Sequence, residues 1–438
     1  MKRFIFIVII LFVYSTAFSQ KTHTLKELLE TGFQNSKDLK ISNSKVLSSS
    51  AKIDEIISQF FPQLTFNAGY TRLSDVPAFE VSIPNIPQPI KLYDMILDNY
   101  SMKLSVQQPL FTGFRLSSLK NSSEFLNNAS ELDLQKDKNE LALNIQIAYW
   151  NYYKTKLLKL YIDDIVKTNE AHLEDTKNLM NNGLATQNDV LKLEVALSNA
   201  KLQQIDAQNN IELARISLNK AIGISITETT EIEITNIDTS GISLNLTALI
   251  NEAKDKRAEL KSTDYKISAA KENISASRST YFPSISLIGD YYFSQPNSRY
   301  QPPLNQFKGS WDVGVNLNWS LWNWGNTSSQ VVQAEQNLIQ TQTSLEQIKE
   351  NIEVEVNENY LNIKYARDKL SVASLGIVQA NENLRITEEK YKVQLASSTD
   401  LVDAQNSLLL ATTNYINALV DFQISKVKLD KSLGRRIY

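Results

Sequence analysis

Two short polar turns contain the side chains best suited to act on an ion. They read MNNGLATQNDV (180–190) and YKVQLASSTDLVD (391–403), and both place aspartates where a helix should begin. Carboxylates attract cations, so symmetry copies of Asp400 and Asp403 around one axis would form a cation-attracting constriction. We therefore predict a selectivity role for Asp403.

The same aspartates also have a purely structural interpretation. Thr186-x-x-Asp189 and Ser397-x-x-Asp400 have the spacing of helix capping pairs, and the helix dipole favours an aspartate near a helix start. Capping and a role in gating are compatible for Asp189 and Asp400. Asp403 lies one turn further into its helix, where capping does not require a carboxylate.

No other group of residues indicates catalysis, a cofactor or a metal site. The chain has no cysteine and only two histidines, His23 and His172, which argues against thiolate chemistry and against a His-based metal centre. No nucleotide loop, HExxH or GxSxG motif is present. Acidic pairs such as Asp163–Asp164 are typical of solvated helix faces. The 45 Lys+Arg and 48 Asp+Glu give a net charge of −3, which argues against nucleic-acid binding.

Long helices must position the two turns. None of the ten prolines lies between 110 and 282 or after 303, and a proline costs a helix interior about 3 kcal/mol. After the first turn, apolar and small residues alternate at spacings of four and three, as in a coiled-coil seam, from Leu193 to Ala221. The sequence predicts helices at about 115–180, 187–221, 326–393 and 398–433. The first would be about 100 Å long at ~1.5 Å per residue.

The chain is a tandem duplication. Residues 25–62 align without a gap with 246–283, and residues from 110 to 223 align with those from 321 to 434. Each copy has the order helix, strand, Pro-rich loop, strand, very long helix, turn, long helix. The predicted organisation is repeat 1 (20–223), a linker (224–245) and repeat 2 (246–438).

Each copy contains two strands of strictly alternating character, at about 63–73 and 100–109 and at about 284–293 and 311–320. In WDVGVNLNWS, one face is apolar with tryptophans at both ends, which is typical of an outer-membrane barrel strand. The alternative is the face of a β-sandwich in a soluble protein. The aromatics predicted at the membrane interface are Tyr70, Tyr100, Trp311, Trp319 and Trp322. For the cluster Trp319, Trp322 and Trp324, core packing at the barrel junction is the alternative.

Four strands cannot close a membrane barrel, because the smallest known barrels have about eight. Open sheet edges are not tolerated in lipid. If these strands insert, several chains must therefore contribute strands to one barrel.

The N-terminus has the features of a secretory signal peptide (1–19). Lys2 and Arg3 precede an apolar run at 4–14, and Ala17 and Ser19 are the small residues before a cleavage site at Gln20. A buried N-terminal helix is the alternative. Because the chain lacks cysteine, we expect export without lipidation.

The duplicated order of elements, the Phe61–Pro62 and Phe282–Pro283 junctions and the two turns together resemble the TolC-like outer-membrane efflux protein family. The family form of the turns is roughly Y-x-x-G-x-x-S-x-x-D-V-L-x-A. The resemblance implies a mainly α fold with a small β part, in which three chains pool twelve strands into one β-barrel and their helices form a hollow coiled-coil α-barrel.

The resemblance also implies roles for residues of both turns. Tyr391 and Asp189 match positions that hold the entrance closed, and Asp400 and Asp403 match positions that line it as an acidic ring. The turns would receive a periplasmic adaptor protein through Gly183, Leu184, Ala185, Thr186, Leu395, Ala396 and Ser397. Two positions depart from the family pattern: Ala396 replaces a gating arginine of some members, and Gln394 replaces the glycine of the motif.

The sequence thus predicts a homotrimeric, non-enzymatic channel in the outer membrane of a Gram-negative bacterium. It would be the passive exit duct of a tripartite efflux pump or type I secretion system, joined through the adaptor (membrane fusion) protein to an inner-membrane transporter. The rival interpretation is a coiled-coil scaffold or adhesin of the cell envelope, which leaves the four alternating strands unexplained.

Overall fold

The computed structural model describes residues 22–75, 77, 79–84, 86–93, 95–234 and 245–438. The predicted signal peptide and part of the predicted linker lie outside the described residues. The elements, in chain order, are β1 (Thr22–His23), α1 (Leu25–Asn35), α2 (Lys37–Ser58), β2 (Gln63–Arg72), β3 (Phe79–Val81), β4 (Ile90–Tyr93), β5 (Asp98–Phe111), α3 (Arg115–Asn181), α4 (Gln187–Ala221), β6 (Glu231–Ile232), α5 (Leu246–Lys256), α6 (Ala258–Arg278), β7 (Ser284–Gln295), β8 (Lys308–Asn318), α7 (Asn326–Lys392) and α8 (Ser398–Ser432).

Four long helices dominate the chain, which confirms the predicted fold class of a mainly helical protein with a small β part. Helices α3 and α7 have 67 residues each, and α4 and α8 have 35 residues each. The seam at alternating spacings of four and three is the buried face of α4, where Leu193, Ala200, Ala207 and Leu218 are all buried. No helix among the described residues combines the length and the apolar content needed to cross a bilayer.

The helix predicted at the start of each copy is in fact two helices, so this expectation was wrong. Ser36 separates α1 from α2 and Arg257 separates α5 from α6, each in an extended conformation with ψ of 121° and 124°. The Ser36 hydroxyl accepts a hydrogen bond from the Leu39 backbone N–H at 3.2 Å and so caps the second helix. The buried Arg257 guanidinium instead donates to the Ser432 carbonyl at 3.0 Å and to Glu355 at 2.7 Å.

The described chain divides into two compact units, and neither coincides with one sequence repeat. One, the helical unit, consists of residues 22–39, Asp137–Arg257 and Ile352–Tyr438. The other, the strand unit, consists of Lys40–Lys136 and Ala258–Asn351. Each repeat contributes residues to both units, so neither repeat forms a compact unit by itself.

The core of the helical unit is built around the middle of α3. Ile145 and Tyr152 are almost fully buried against Leu28 of α1 and Leu218 of α4, and burial of such a side chain stabilises the fold by about 1.5–3 kcal/mol. The Tyr152 hydroxyl donates to the Thr230 carbonyl at 3.0 Å. Strand β6, within the predicted linker, pairs in parallel with β1.

The strand unit contains an antiparallel sheet of order β2-β5-β7-β8. Its register places Phe66, Leu104, Tyr291 and Trp311 in one row across the sheet. Large apolar side chains cover this face and are exposed: Leu64, Phe66, Tyr70, Leu104, Val106, Leu287, Tyr291, Trp311, Val313, Val315 and Leu317. No described part of the chain covers this apolar face, and an exposed apolar face of this extent indicates a partner outside the chain.

The opposite face of the sheet is polar and internally paired. Asp290 lies at its centre, where Lys103 Nζ is 2.8 Å from a carboxylate oxygen and the Tyr292 hydroxyl donates at 3.1 Å. The Ser105 hydroxyl donates to the other oxygen of the same carboxylate. The two faces therefore suit two different solvents, as the alternation predicts. The predicted Pro-rich loop between β2 and β5 additionally contains the hairpin β3–β4.

Candidate functional site

Both helix–helix turns are fixed by capping boxes. The Thr186 hydroxyl accepts from the Asp189 backbone N–H at 3.3 Å, and the Asp189 carboxylate accepts from the Thr186 backbone N–H at 3.0 Å. Ser397 and Asp400 form the same pair of bonds at 3.2 and 2.8 Å. The capping interpretation of Asp189 and Asp400 is therefore confirmed. Both turns present the start of a rigid helix, where backbone N–H groups favour negative charge.

The residue three positions before each N-cap is held in a left-handed conformation. Gly183 has φ of 76° and Gln394 has φ of 61°, and a residue with a Cβ costs about 1–2 kcal/mol there. Glycine avoids that cost in the first turn. In the second turn the Gln394 side chain donates to the Leu184 carbonyl at 3.0 Å, a bond that offsets the strain by about 1 kcal/mol. The departure from the family glycine thus provides a contact between the turns.

A second contact joins the two turns through Asp189. Ser398 is buried, with only 2% of its surface exposed. Its hydroxyl donates a hydrogen bond to Asp189 Oδ1 at 2.7 Å. Hydrogen bonds from the hydroxyls of Thr186 and Ser398 lower the pKa of Asp189. The pKa of Asp400 is lowered only by Ser397 of its own turn. Asp189 therefore holds both turns, whereas Asp400 holds one.

Tyr391 ties α7 to α3 just before the turns. Its hydroxyl lies 2.6 Å from Thr176 Oγ1, and Thr176 is fully buried. The Thr176 hydroxyl already donates to the His172 carbonyl at 2.8 Å. Because a threonine hydroxyl has one hydrogen, the Tyr391 hydroxyl must be the donor. Within one chain, Tyr391 and Asp189 thus act on different partners, Thr176 and Ser398.

Asp403 lies one helical turn beyond the second cap, with its side chain exposed. On the first turn, its repeat counterpart Lys192 donates to the Thr399 hydroxyl at 2.8 Å. The tip residues Gly183, Leu184 and Leu395 are exposed, and Ala185 and Ala396 are partly buried. The structure thus brings together all the turn residues that the sequence singled out.

Two residues of this site, Thr176 and Ser398, were not predicted from the sequence. A usable pattern existed for Thr176, because Asn169 and Thr176 are buried polar residues seven positions apart on α3, and such residues specify register in a helical seam. No local pattern identifies Ser398, because its partner Asp189 lies 209 residues away.

The predicted interfacial aromatics are placed at the ends of the strands. Tyr70 pairs with Tyr100 across β2 and β5, with ring centroids 4.9 Å apart. Trp311 is 71% exposed in β8, and the Trp319 indole donates to the Tyr281 carbonyl at 3.1 Å. Trp319, Trp322 and Trp324 are each more than half exposed in the single chain, so they lie outside its own core.

Comparisons with known proteins agree on one family. The family model described as "Outer membrane efflux protein" matches residues 28–224 and 249–435, one segment in each sequence copy. The outer membrane protein TolC of Escherichia coli is 22% identical over 411 residues, covering 90% of this chain and 80% of its own. TolC of Vibrio cholerae is 25% identical over 263 residues, covering 60% of each chain. The solved structure of CusC, described as forming a transmembrane channel, has a TM-score of 0.77 at 16% identity and covers 94% of this chain and 92% of that chain.

Proposed function

The chain belongs to the outer membrane efflux protein family, and on that premise we propose that three copies form the passive outer-membrane duct of a tripartite efflux pump or type I secretion system. The observation that carries the proposal is the sheet β2-β5-β7-β8, which has one exposed apolar face and one paired polar face. Such a sheet suits lipid on one side and a water-filled lumen on the other. Energy for transport would come from an inner-membrane transporter, reached through a periplasmic adaptor.

The strand count requires several chains. The sheet ends at β2, with ten residues, and at β8, with eleven residues. Their unpaired edges cannot remain open in lipid. Strand β8 of one chain next to β2 of another would close the ring with matched lengths, and three chains give the twelve strands of the family barrel.

The helices supply matching surfaces for the same assembly. On α4 a second seam, separate from the buried one, is exposed: Leu191, Val195, Leu202, Ile205, Leu213 and Ile216. On α7 a second seam is also exposed: Val354, Leu361, Tyr365, Val372, Leu375 and Val378. In contrast, the described large apolar residues exposed on α3 and α8 are few and scattered, namely Leu126, Leu160 and Leu410. Together the two seams expose on the order of 1,000 Å² of apolar side chain, the scale of a specific protein–protein interface.

A ring needs two different, complementary surfaces on each chain, so we assign the α7 seam of one subunit to the α4 seam of the next. The turns fix the level of the two helices, because Gln394 binds Leu184. Ile205 lies eighteen residues after the start of α4 at Gln187, and Leu375 lies seventeen residues before the end of α7 at Lys392. These two residues should therefore meet between subunits.

Cysteine cross-linking tests the assembly directly, because the chain has no cysteine of its own. The variant carrying Ile205→Cys and Leu375→Cys should form covalent trimers on oxidation. The matched control combines Ile205→Cys with Val354→Cys, which is on the same α7 seam but about 30 Å away along the helix at ~1.5 Å per residue. Absence of a cross-link in the matched pair, or an equal yield in the control, would contradict the assigned interface.

For the turns we propose the periplasmic entrance, gated by Tyr391, Asp189 and Asp400 and docking the adaptor. Three copies of the exposed Asp403 around the axis would select cations at this constriction. The expected result in a planar bilayer is a small, cation-preferring conductance that loses its preference in Asp403→Ala. Lys192→Ala, which removes a charge of opposite sign at the same turns, should keep the preference.

The interfacial aromatics are tested by fluorescence. Trp311 and Trp319 should be quenched by brominated lipid in reconstituted protein, and a soluble periplasmic protein would show no such quenching. The scaffold interpretation would replace the channel if folded, membrane-inserted trimers gave no conductance even after the turns were destabilised.

A further inference from the structure

His172 is a titratable side chain of α3 that faces α7. It is largely buried, with 14% of its side-chain surface exposed. Its Nε2 atom is sealed from solvent, and no residue that the structure describes forms a hydrogen bond with it. Glu388 of α7 places a carboxylate oxygen 3.5 Å from that nitrogen. A buried polar atom without a partner is uncommon in a folded protein and calls for a physical reason.

His172 and Glu388 lie about one helical turn before the residues of the Tyr391–Thr176 contact, on α3 and α7 respectively. The carbonyl of His172 accepts a hydrogen bond from the Thr176 hydroxyl, which in turn accepts a hydrogen bond from the Tyr391 hydroxyl. On each helix the steps are short: Thr176 is four residues after His172, and Tyr391 is three residues after Glu388. The His172–Glu388 and Thr176–Tyr391 pairs are therefore successive levels of one α3–α7 contact that leads into the turns.

The charges around His172 come from both helices. An open cavity of about 280 Å³ is lined by His172 and Asp175 from α3 and by Glu388, Tyr391 and Lys392 from α7. Asp175 and Glu388 favour a positive imidazolium, and Lys392 opposes it. The nearby Lys177 is already paired with Glu194 of α4 at 2.9 Å. The carboxylate nearest to the imidazole is that of Glu388, 3.5 Å from Nε2.

We propose that His172 is a proton-responsive positioning residue that acts on Tyr391 through Glu388. Uptake of one proton from solvent converts the imidazole to imidazolium, so the buried ring nitrogen becomes a charged donor facing a carboxylate. The attraction draws α7 onto α3 and strengthens the Tyr391–Thr176 hydrogen bond one level further on. Histidine is the side chain that ordinarily changes charge between pH 5 and 8. The inference rests on the proposed function only where it predicts that acidification closes the entrance.

Proton binding is measured first, without reference to transport. The chain has only two histidines, so ¹³C labelling at histidine Cε1 gives two resonances that His23→Gln assigns. In Glu388→Gln, His172 should bind its proton about tenfold more weakly, because the protonated Nε2 would then no longer face a charged carboxylate. The matched control is Glu27→Gln, which removes the carboxylate 3.6 Å from His23 and should leave the His172 titration unchanged. An identical His172 titration in Glu388→Gln and in the unmodified protein would overturn the proposal.

The effect on the entrance is measured as conductance between pH 5 and 8. Open probability should fall on acidification by on the order of tenfold, and His172→Gln should be independent of pH over that range while His23→Gln behaves like the unmodified protein. A pH response retained in His172→Gln, or opening on acidification, would refute the proposed role of His172 in closing the entrance. If no variant conducts at any pH, the proposed channel function fails. The histidine titration would then still show whether Glu388 stabilises the protonated form of His172.

Discussion

The clearest quantitative prediction compares the two capping boxes, because they differ by a single hydrogen bond. Asp189→Ala removes a helix cap worth about 1 kcal/mol and the bond from the buried Ser398 hydroxyl, a bond to a charged group worth about 1.5–3 kcal/mol. Asp400→Ala removes the same type of cap but no bond to the other turn. The loss in Asp189→Ala should therefore exceed the effect of Asp400→Ala by about 2 kcal/mol.

Amide hydrogen exchange measured by mass spectrometry resolves this difference. Local opening equilibria determine exchange rates, and about 2 kcal/mol corresponds to roughly thirtyfold at 1.4 kcal/mol per factor of ten. In Asp189→Ala, peptides from both turns should exchange faster. In Asp400→Ala, only the peptide at 391–405 should do so, by a few-fold.

Ser398→Ala provides the independent control. It removes the Asp189–Ser398 bond between the turns and leaves both capping boxes intact, so it should reproduce most of the difference between the two aspartate variants. If Asp400→Ala accelerated exchange in both turns as much as Asp189→Ala, or if Ser398→Ala had no effect, the Asp189–Ser398 bond would not be what joins the turns.

Three further predictions concern stability and can be checked by thermal or denaturant unfolding. Gln394→Gly should be close to neutral because relief of backbone strain offsets the lost side-chain bond, whereas Gln394→Ala should be less stable by about 1 kcal/mol; equal losses would contradict this. Hydrogen bonds from Arg435 lower the pKa of Glu252 from its ordinary 4.5 to about 2, so its contribution, about 2 kcal/mol after solvent screening, should be complete above pH 4.5 and lost as the pH falls toward 2; Glu252→Gln should lack this dependence. Arg257→Ala should cost about 3–5 kcal/mol because it leaves the Glu355 carboxylate without its closest cation, and a loss below 1 kcal/mol would show that Lys431 compensates.

Local features of the sequence were sufficient to predict most of the fold. The long helices follow from the absence of proline and from the seam spacing, and the caps follow from a serine or threonine three residues before an aspartate. The strands follow from alternation over eight or more residues. Each of these features depends on near neighbours in the chain, which a single sequence displays directly.

Features that depend on distant partners could not be predicted. At the break between α5 and α6, the Arg257 guanidinium binds Glu355, 98 residues away. The tie between Tyr391 and Thr176 joins residues 215 positions apart. For the same reason, no sequence pattern predicts that His172 pairs with Glu388. The sequence shows only that histidine is rare in this chain.

The strand order also fixes the order of events during biogenesis. Strand β5 of the first copy pairs with β7 of the second, and all of α3, α4, α5 and α6 lies between them in the chain. Pairing across such a separation is slow, because loop closure precedes any gain from the contact. A growing chain therefore carries the apolar hairpin β2–β5 without its neighbour β7 until about two thirds of the protein has been made. Completion of the four-stranded sheet therefore waits for the second copy, and the edge of β5 that pairs with β7 stays open until then.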